Sequence, residues 1–225
     1  MDKQVGKFTS EQIVTHVIIG ISIMLLFITG LPQRYPEHLG WMISTIGLSK
    51  VMFIHRLAAI GMLSSAVFYV INSMLCWIFV GNKYFKKYML PIFPTSGDVS
   101  DFVNDVSVWG EQKTDYYKYS WLEKLSLWND MVVNWAILGV TGIVLWAPWL
   151  FAPYIPVGYL SVAKSFHSGF AVFSLCVVLL HFYIVHLTPS KFPMAYSMFT
   201  GTVSKEEVKE EYPRWYRELS GEKHG

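Results

Sequence analysis

The chain has 225 residues, of which 53% are apolar, 16% are aromatic and only 15% are charged. The charged fraction is well below the roughly 25% that is typical of soluble domains, so the composition excludes an ordinary soluble globular protein. The formal net charge is only +2. The positions of the basic residues indicate that this charge reflects membrane topology rather than nucleic-acid binding.

Four apolar segments are long enough to cross the hydrocarbon core of a membrane, which needs about 20 residues of α-helix. In chain order they cover about 13–31, 51–80, 127–150 and 161–187. A polar loop, 81–126, precedes the third segment, and a charged tail, 188–225, follows the fourth. We find no internal repeat and no large soluble domain. The pattern therefore predicts an all-α membrane protein in which residues 1–225 form one bundle of four transmembrane helices.

Lysine and arginine are distributed unevenly between the two sides of the predicted membrane. The N-terminus, the 81–126 loop and the tail hold fourteen of the eighteen, whereas the first connection holds only Arg34 and Lys50. Loops rich in Lys and Arg stay in the cytoplasm. We therefore predict a multi-pass membrane protein with both termini cytoplasmic.

Four of the five histidines inside the apolar segments pair by depth. His55 and His167 fall near the outer end, and His16 and His181 fall near the cytoplasmic end. His167 and His181 are separated by a rise of about 21 Å and lie within about 40° of one helix face. Two stacked b haems, each held by one histidine from each of two helices, need this arrangement. His186 should not share a haem with His181, because five residues of α-helix turn it about 140° away.

Other interpretations of these histidines stay open. One histidine in a membrane helix is often a hydrogen-bond partner of another helix, and a series of ionisable groups can conduct protons. Carboxylates are nearly absent from the apolar segments, with Asp130 near the inner end of the third. The alternative is therefore a haem-free four-helix membrane anchor or a proton-conducting subunit.

Several residues near the histidines give weaker support for haem. Gly20 and Gly169 remove side-chain bulk close to His16 and His167. Arg56 and Lys164 could pair with haem propionates, or they could extend to the lipid headgroups. Cys76 and Cys176 lie in apolar segments without a C-x-x-C-H or C-x-x-C motif, which argues against covalent haem and against a local iron–sulfur or zinc site.

The chain resembles the cytochrome b (gamma) subunit of respiratory formate dehydrogenases, a family with relatives in thiosulfate reductases and hydrogenases. The resemblance spans nearly the whole chain. Besides the four histidines, the matching residues are Phe53-Ile54-His55, Val140-Thr141-Gly142, Trp146, Pro148 and Pro213-Arg214-Trp215-Tyr216-Arg217-Glu218.

The resemblance implies an outer haem on His55 and His167 and an inner haem on His16 and His181. It also implies that electrons come from an iron–sulfur partner subunit outside the membrane and pass to menaquinone, or another quinone, near the inner haem. The resemblance further implies a catalytic partner subunit, of the molybdopterin, hydrogenase or another type, in the same complex, and a bacterial or archaeal cytoplasmic membrane, the inner membrane where there are two, as its location.

One run departs from the family. After Lys118-Tyr119 the family has a run resembling Asn-Ala-Gly-Gln-Lys, whose Asn and Gly border the quinone site, and here it reads Ser120-Trp121-Leu122-Glu123-Lys124. Either the quinone pocket is altered or the catalytic partner is not a formate dehydrogenase. Ser120 can donate to a quinone oxygen, and Glu123 or Asp130 can relay the proton. Alternatively, these are ordinary residues at the membrane boundary.

The sequence as a whole predicts a dihaem b-type, quinone-reactive membrane subunit of a respiratory oxidoreductase complex. It would carry electrons between an iron–sulfur or c-haem partner and the quinone pool, with quinone reduction or quinol oxidation as its only chemistry on a substrate. In the tail, Ser204 and Glu207 predict the capped start of a short helix that ends before Pro213.

Overall fold

A computed structural model describes residues 4–107, 114–156, 158–188, 191–192 and 194–221. Three basic residues of the topology prediction, Lys3, Lys113 and Lys223, lie outside the described residues. Parts of the predicted loop and tail, namely 108–113, 189–190, 193 and 222–225, lie outside them as well.

Four helices are long and apolar enough to cross a membrane, and they confirm the predicted all-α, four-span architecture. The spans are Ser10–Arg34, Leu48–Val80, Trp121–Trp146 and Gly158–His186. The first is helix α1 and the second is α3. The third joins α6 (Trp121–Trp128), a π-helix (Asn129–Leu138) and α7 (Gly139–Trp146), and the fourth joins α9 (Gly158–His181) to a π-helix (Phe182–His186). The chain is a multi-pass membrane protein.

The third span differs from its predicted limits at both ends. It begins at Trp121 rather than near residue 127, because Ser120 and Glu123 cap it: Ser120 Oγ accepts from Glu123 N at 3.2 Å, and Glu123 Oε2 accepts from Ser120 N at 2.7 Å. It ends at Trp146 rather than near residue 150, because the residue before a proline avoids helical geometry. Pro148 then starts the short helix α8, Pro148–Phe151.

The connection between the first two spans is helical as well, which the sequence pattern did not predict. Helix α2 covers Pro36–Ile46, with a proline in its first turn. It ends at Gly47, whose φ of +94° favours glycine.

The chain separates into two compact units. The membrane unit contains Val14–Ile71 and Trp128–Leu180, and the terminal unit contains Met1–Ile13, Asn72–Leu127 and His181–Gly225. The prediction that residues 1–225 act as one domain stays a prediction.

All four spans contribute to the core of the membrane unit. Ile19 and Ile23 of α1 are buried with Met62 of α3, and Trp135 and Val178 pack against them. Small residues let the helices approach closely, since a Cβ at Gly61 would lie only 2.8 Å from Ser22 Oγ.

The terminal unit joins the N-terminus to the tail. Strand β1, Gln4–Gly6, pairs antiparallel with strand β2, Thr202–Ser204, with Val5 opposite Val203. The core beneath them contains Val203, Val208, Tyr212 and Trp215. The surrounding tail helices are α10 (Ser197–Thr200), α11 (Lys205–Glu211) and α12 (Pro213–Ser220).

The predicted tail cap is confirmed. Ser204 Oγ accepts a hydrogen bond from Glu207 N at 3.0 Å, and α11 ends at Glu211, before Pro213.

The 81–126 loop is largely helical. After α4 (Asn82–Tyr84) come a π-helix (Phe85–Met89), a 3₁₀ turn (Leu90–Ile92) and α5 (Ser96–Ser107). Two acidic residues of α5 have partners in the protein: Asp98 pairs with Lys124 at 2.7 Å, and Asp105 accepts from Trp121 Nε1 at 2.6 Å.

The pairing of β1 with β2 requires both termini to lie on one side of the membrane, and the Lys and Arg distribution predicts the cytoplasmic side. We expect a membrane-impermeant maleimide to label Glu37→Cys of α2 in intact cells, and Glu210→Cys of α11 only after permeabilisation. Both positions are exposed. The measurement is made in a chain whose Cys76 and Cys176 are replaced by Ala. Labelling of Glu210→Cys in intact cells would reverse the predicted orientation.

Candidate functional site

The membrane unit brings the predicted outer histidines together. His55 lies near the start of α3 and His167 lies in the first half of α9. Their ring centroids are 6.4 Å apart, with an angle of 62° between the ring planes. Both rings are partly buried.

Thr29 fixes the protonation of the His55 ring. Its hydroxyl lies 2.6 Å from the carbonyl oxygen of Leu25 and 2.8 Å from His55 Nδ1. A carbonyl oxygen can only accept, so the single hydroxyl proton is donated to Leu25 and the hydroxyl oxygen accepts from Nδ1–H. The hydrogen-bond pattern therefore assigns the ring proton to Nδ1 and leaves the lone pair of Nε2 available for a metal ion.

Thr141 does the same for His167. The hydroxyl donates to the carbonyl oxygen of Ile137 at 2.7 Å and accepts from His167 Nδ1 at 2.9 Å. Each threonine precedes its histidine by 26 residues.

A glycine follows each of these threonines and lies against the same histidine ring. A Cβ at Gly30 would lie 3.3 Å from His55 Cε1, and one at Gly142 would lie 3.4 Å from His167 Cε1. The two outer histidines thus share one local arrangement, in which a Thr-Gly pair of another helix contacts the ring. The sequence shows this arrangement as a Thr-Gly dipeptide whose threonine lies 26 residues before each outer histidine.

The two glycines that sequence analysis selected have different surroundings. Among the described residues nothing lies within 4 Å of a Cβ built at Gly20 or Gly169. They leave open space but do not contact a histidine ring, so Gly30 and Gly142 are the glycines that make room for the imidazoles.

His181, in the terminal unit, has the same kind of hydroxyl partner. Its Nδ1 lies 3.0 Å from Ser126 Oγ, which also donates to the carbonyl oxygen of Leu122 at 3.0 Å. Its Nε2 is therefore also the nitrogen that is available for a metal ion. His16 belongs to the membrane unit, so the inner pair of His16 and His181 stays a prediction.

The expected separation of His186 from His181 was wrong. The two ring centroids are 5.3 Å apart. The reason is the π-helix over Phe182–His186, whose i to i+5 hydrogen bonds bring residues five apart to one side of the helix.

Arg56, next to His55, has an unused hydrogen-bond donor. Its guanidinium carbon lies 5.4 Å from the ring centroid of Trp146. Among the described residues, its buried Nε has no hydrogen-bond partner. A partly buried guanidinium with an open donor fits a carboxylate ligand. Lys164 is exposed.

A buried polar network in the membrane unit was not predicted. Asn129 Nδ2 donates to Ser174 Oγ at 3.1 Å, and Ser174 donates to Asn134 Oδ1 at 2.8 Å. Asn134 Nδ2 in turn donates to Asp130 Oδ1 at 2.7 Å. Asp130, a candidate proton relay, therefore belongs to a network that connects the third and fourth spans.

Glu123, a candidate quinone-site residue, is part of a buried cluster in the terminal unit. Lys7 Nζ lies 2.9 Å from Glu123 Oε1, and the Tyr212 hydroxyl donates to the same oxygen at 3.2 Å. Lys7 also lies 3.9 Å from the Tyr212 ring centroid. Burial, and then the negative charge of Glu123, raise the pKa of Tyr212 well above its usual value. Ser120 and Glu123 therefore have structural contacts beside any role toward quinone.

Lys118 is a second buried amine in this unit, with an exposed fraction of 2%. It donates to the carbonyl oxygen of Lys87 at 3.1 Å and lies 4.5 Å from the Tyr88 ring centroid. Burial, and then the positive charges of Lys7 and Lys87, lower the pKa of Lys118 to about 7. An amine with this pKa can exchange protons at neutral pH.

Residues 7–201 match the family model described as prokaryotic cytochrome b561. The chain belongs to this family. A cytochrome b carries haem b, so family membership and the two histidine rings point to the same cofactor class.

Curated relatives bear out the resemblance found in the sequence. The cytochrome b556(Fdn) subunit of the nitrate-inducible formate dehydrogenase of Escherichia coli K12 is 26% identical, over 91% of this chain and 86% of its own length. The cytochrome b556(fdo) subunit of formate dehydrogenase from the same strain is 23% identical, over 95% of this chain and 92% of its own length.

The outer histidines have a ring spacing that would let both bind one metal ion. Two nitrogens that are each about 2 Å from one metal ion place their ring centroids about 6 to 6.5 Å apart. The observed separation of 6.4 Å agrees. The threonine hydroxyl at Nδ1 of each ring, which leaves Nε2 for a metal ion, agrees as well.

The threonine contacts generate a test on the cytochrome. We expect Thr141→Val to weaken haem binding about 10- to 100-fold, the usual effect of losing the partner of a metal-ligating histidine. Thr141→Ser keeps the hydroxyl and should retain haem. The measurement is haem per chain during titration with haem.

Ser65→Ala is the control, because the Ser65 hydroxyl donates only to its own helix, at the carbonyl oxygen of Met62. Equal haem loss in Thr141→Ser and Thr141→Val would contradict the role of the hydroxyl.

Proposed function

We propose that this chain is the dihaem b-type membrane subunit of a respiratory oxidoreductase complex, passing electrons between an iron–sulfur or c-haem partner subunit and the quinone pool. The observation that carries the proposal is the pair of imidazoles, His55 and His167, each with a threonine hydroxyl at Nδ1 and with ring centroids 6.4 Å apart.

The outer haem site would consist of His55 and His167 as axial ligands, with Arg56 as the partner of a propionate. A bound haem iron takes up and releases one electron. The protein's own residues would set the environment of the iron during this electron transfer. Thr29 and Thr141 hold the Nδ1 protons, Gly30 and Gly142 admit the rings, and the apolar helices keep water away.

The inner haem site would use His16 and His181. The hydroxyl of Ser126 supports the role of His181, because it holds the Nδ1 proton as the threonines do at the outer site. His186, close to His181, makes this end of the fourth span rich in imidazole.

Menaquinone, or another quinone, would react near Ser120 and Glu123. Reduction of a quinone takes up protons as well as electrons, so a proton donor must stand within hydrogen-bond reach of a quinone oxygen. The Ser120 hydroxyl can donate to the quinone oxygen, the Glu123 carboxylate can accept and relay a proton, and Lys118 can resupply protons because of its pKa of about 7. Asp130 remains a second candidate for the relay.

The names of the relatives support a particular kind of complex. Both belong to formate dehydrogenases. We propose an iron–sulfur subunit and a catalytic subunit, of the molybdopterin, hydrogenase or another type, as partners in a bacterial or archaeal cytoplasmic membrane. The haem-free anchor and the proton-conducting subunit remain the alternative, and haem content separates them from the proposal.

The haem ligands are tested by single substitutions. We expect two haems in the parent chain, loss of the outer haem in His167→Ala and loss of the inner haem in His181→Ala, because each haem needs both of its axial ligands. His38→Ala is the control, since the His38 side chain is 78% exposed. Haem per chain and the reduced-minus-oxidised spectrum are measured. Two haems in either variant would rule out that ligand, and no b-type spectrum in the parent chain would favour the alternative.

The quinone site is tested by the rate at which a soluble menaquinol analogue reduces the haems. We expect Ser120→Ala to slow this reaction through loss of a hydrogen bond to quinone, and Glu123→Gln to slow it about 100-fold or more through loss of a proton carrier. Dithionite should still reduce both haems fully.

Two control variants separate this role from the structural contacts. Ser204→Ala removes an equivalent helix cap, which costs about 1 kcal/mol, and Lys7→Met breaks the same ion pair but keeps the carboxylate. A rate that falls equally in Ser120→Ala and Ser204→Ala, or stays unchanged in the Ser120→Ala/Glu123→Gln double variant, would refute the site.

A further inference from the structure

Helix α5, Ser96–Ser107, carries three distinct faces. At about 100° per residue, four apolar residues form one stripe, three aspartates form a second face, and small polar residues form the third. The stripe is Val99, Phe102, Val103 and Val106; the acidic face is Asp98, Asp101 and Asp105; the polar face is Ser100, Asn104 and Ser107.

The apolar stripe faces outward. The exposed fractions of Val99, Phe102, Val103 and Val106 are 65%, 44%, 51% and 52%, whereas all three aspartates are half-buried. A helix on a water-soluble surface has the opposite arrangement, with its apolar face toward the protein. Lipid-facing helices of this chain share the inverted pattern, as Val67 and Ile71 of α3 are 58% and 52% exposed.

Two residues of the acidic face, Asp98 and Asp105, bind other parts of the protein. Asp98 Oδ1 lies 2.7 Å from Lys124 Nζ, and Asp105 Oδ2 accepts from Trp121 Nε1 at 2.6 Å. Thr114 and Tyr116 also donate to the Asp105 carboxylate. These contacts fix the rotation of α5 about its axis, so the stripe cannot turn inward without breaking them.

The same contacts place α5 at the level of a membrane boundary. Trp121 and Lys124 lie in the first turn of the third span, Trp121–Trp146, where tryptophan marks the interface between hydrocarbon and headgroups. The Phe102 ring meets the Trp121 ring at a centroid distance of 5.0 Å. Twelve residues of helix are about 18 Å long, too short to cross a core of about 30 Å.

We propose that α5 is an interfacial helix that binds the lipid bilayer. Its apolar stripe inserts at the boundary of the acyl chains, its aspartates face the protein, and its polar face meets water. The helix has no basic residue of its own. Lys83, Lys86 and Lys87, shortly before it in the chain, supply the attraction to anionic headgroups.

Spin labels on the full chain test the proposal in nanodiscs of phosphatidylcholine and phosphatidylglycerol. Single cysteines replace Val99, Val103 and Val106 of the stripe, and Ser100, Asn104 and Ser107 of the polar face, in a chain with Cys76→Ala and Cys176→Ala. Collisions are measured with oxygen, which concentrates among acyl chains, and with a water-soluble nickel chelate. Ile71→Cys is the reference for lipid, and Glu210→Cys is the reference for water. Each cysteine variant must first show the same melting temperature as the parent chain without the added cysteine.

We expect the stripe labels to match Ile71→Cys, with frequent oxygen collisions and few nickel collisions, and the polar-face labels to match Glu210→Cys. Stripe labels that behave like Glu210→Cys would show that the stripe faces water, which overturns the proposal. Stripe labels shielded from both reagents would show that protein, either a second copy or a partner, covers the stripe, and this also overturns it.

Discussion

The absence of water from a bilayer core governs the arrangement around the histidines. A polar hydrogen inside a membrane must be donated within the protein. Thr29, Thr141 and Ser126 donate their hydroxyl protons to carbonyl oxygens four residues earlier in their own helices. Each hydroxyl can then only accept from a histidine, which fixes three imidazole rings in one protonation state and directs their Nε2 lone pairs to a ligand.

The membrane unit uses close helix contacts to hold this arrangement. Gly30 and Gly142 bring the backbone of one helix against the histidine ring of another, and the Asn129–Ser174–Asn134–Asp130 network ties the third span to the fourth with hydrogen bonds that do not depend on water. The π-helix over Asn129–Leu138 contains most of that network. Widened turns of this kind often mark functional segments, and here one supplies polar groups to an otherwise apolar span.

Apart from α5 and the ends of the spans, the terminal unit is organised by contacts that also stabilise water-soluble proteins. A strand pair, an aromatic core and two serine caps organise the N-terminus, the loop and the tail. The run that departs from the formate dehydrogenase family, Ser120–Lys124, begins the third span, and its Glu123 pairs with the buried Lys7. The residues of this run therefore stabilise the fold, and the proposed reaction with quinone must occur while these contacts are kept.

The sequence by itself determined the features that depend on local composition. Four apolar stretches give four spans, the depth of each histidine follows from its place in a span, and Ser204 with Glu207 starts a capped helix. Only the tertiary structure decided which groups meet. Thr29 and His55 are 26 residues apart on different helices, so no periodicity joins them. His186 approaches His181 because a π-helix brings residues five apart to one side of the helix. The stripe of α5 faces outward because donors distant in the sequence bind Asp98 and Asp105. A sequence pattern states which faces a helix has, whereas packing decides what each face contacts.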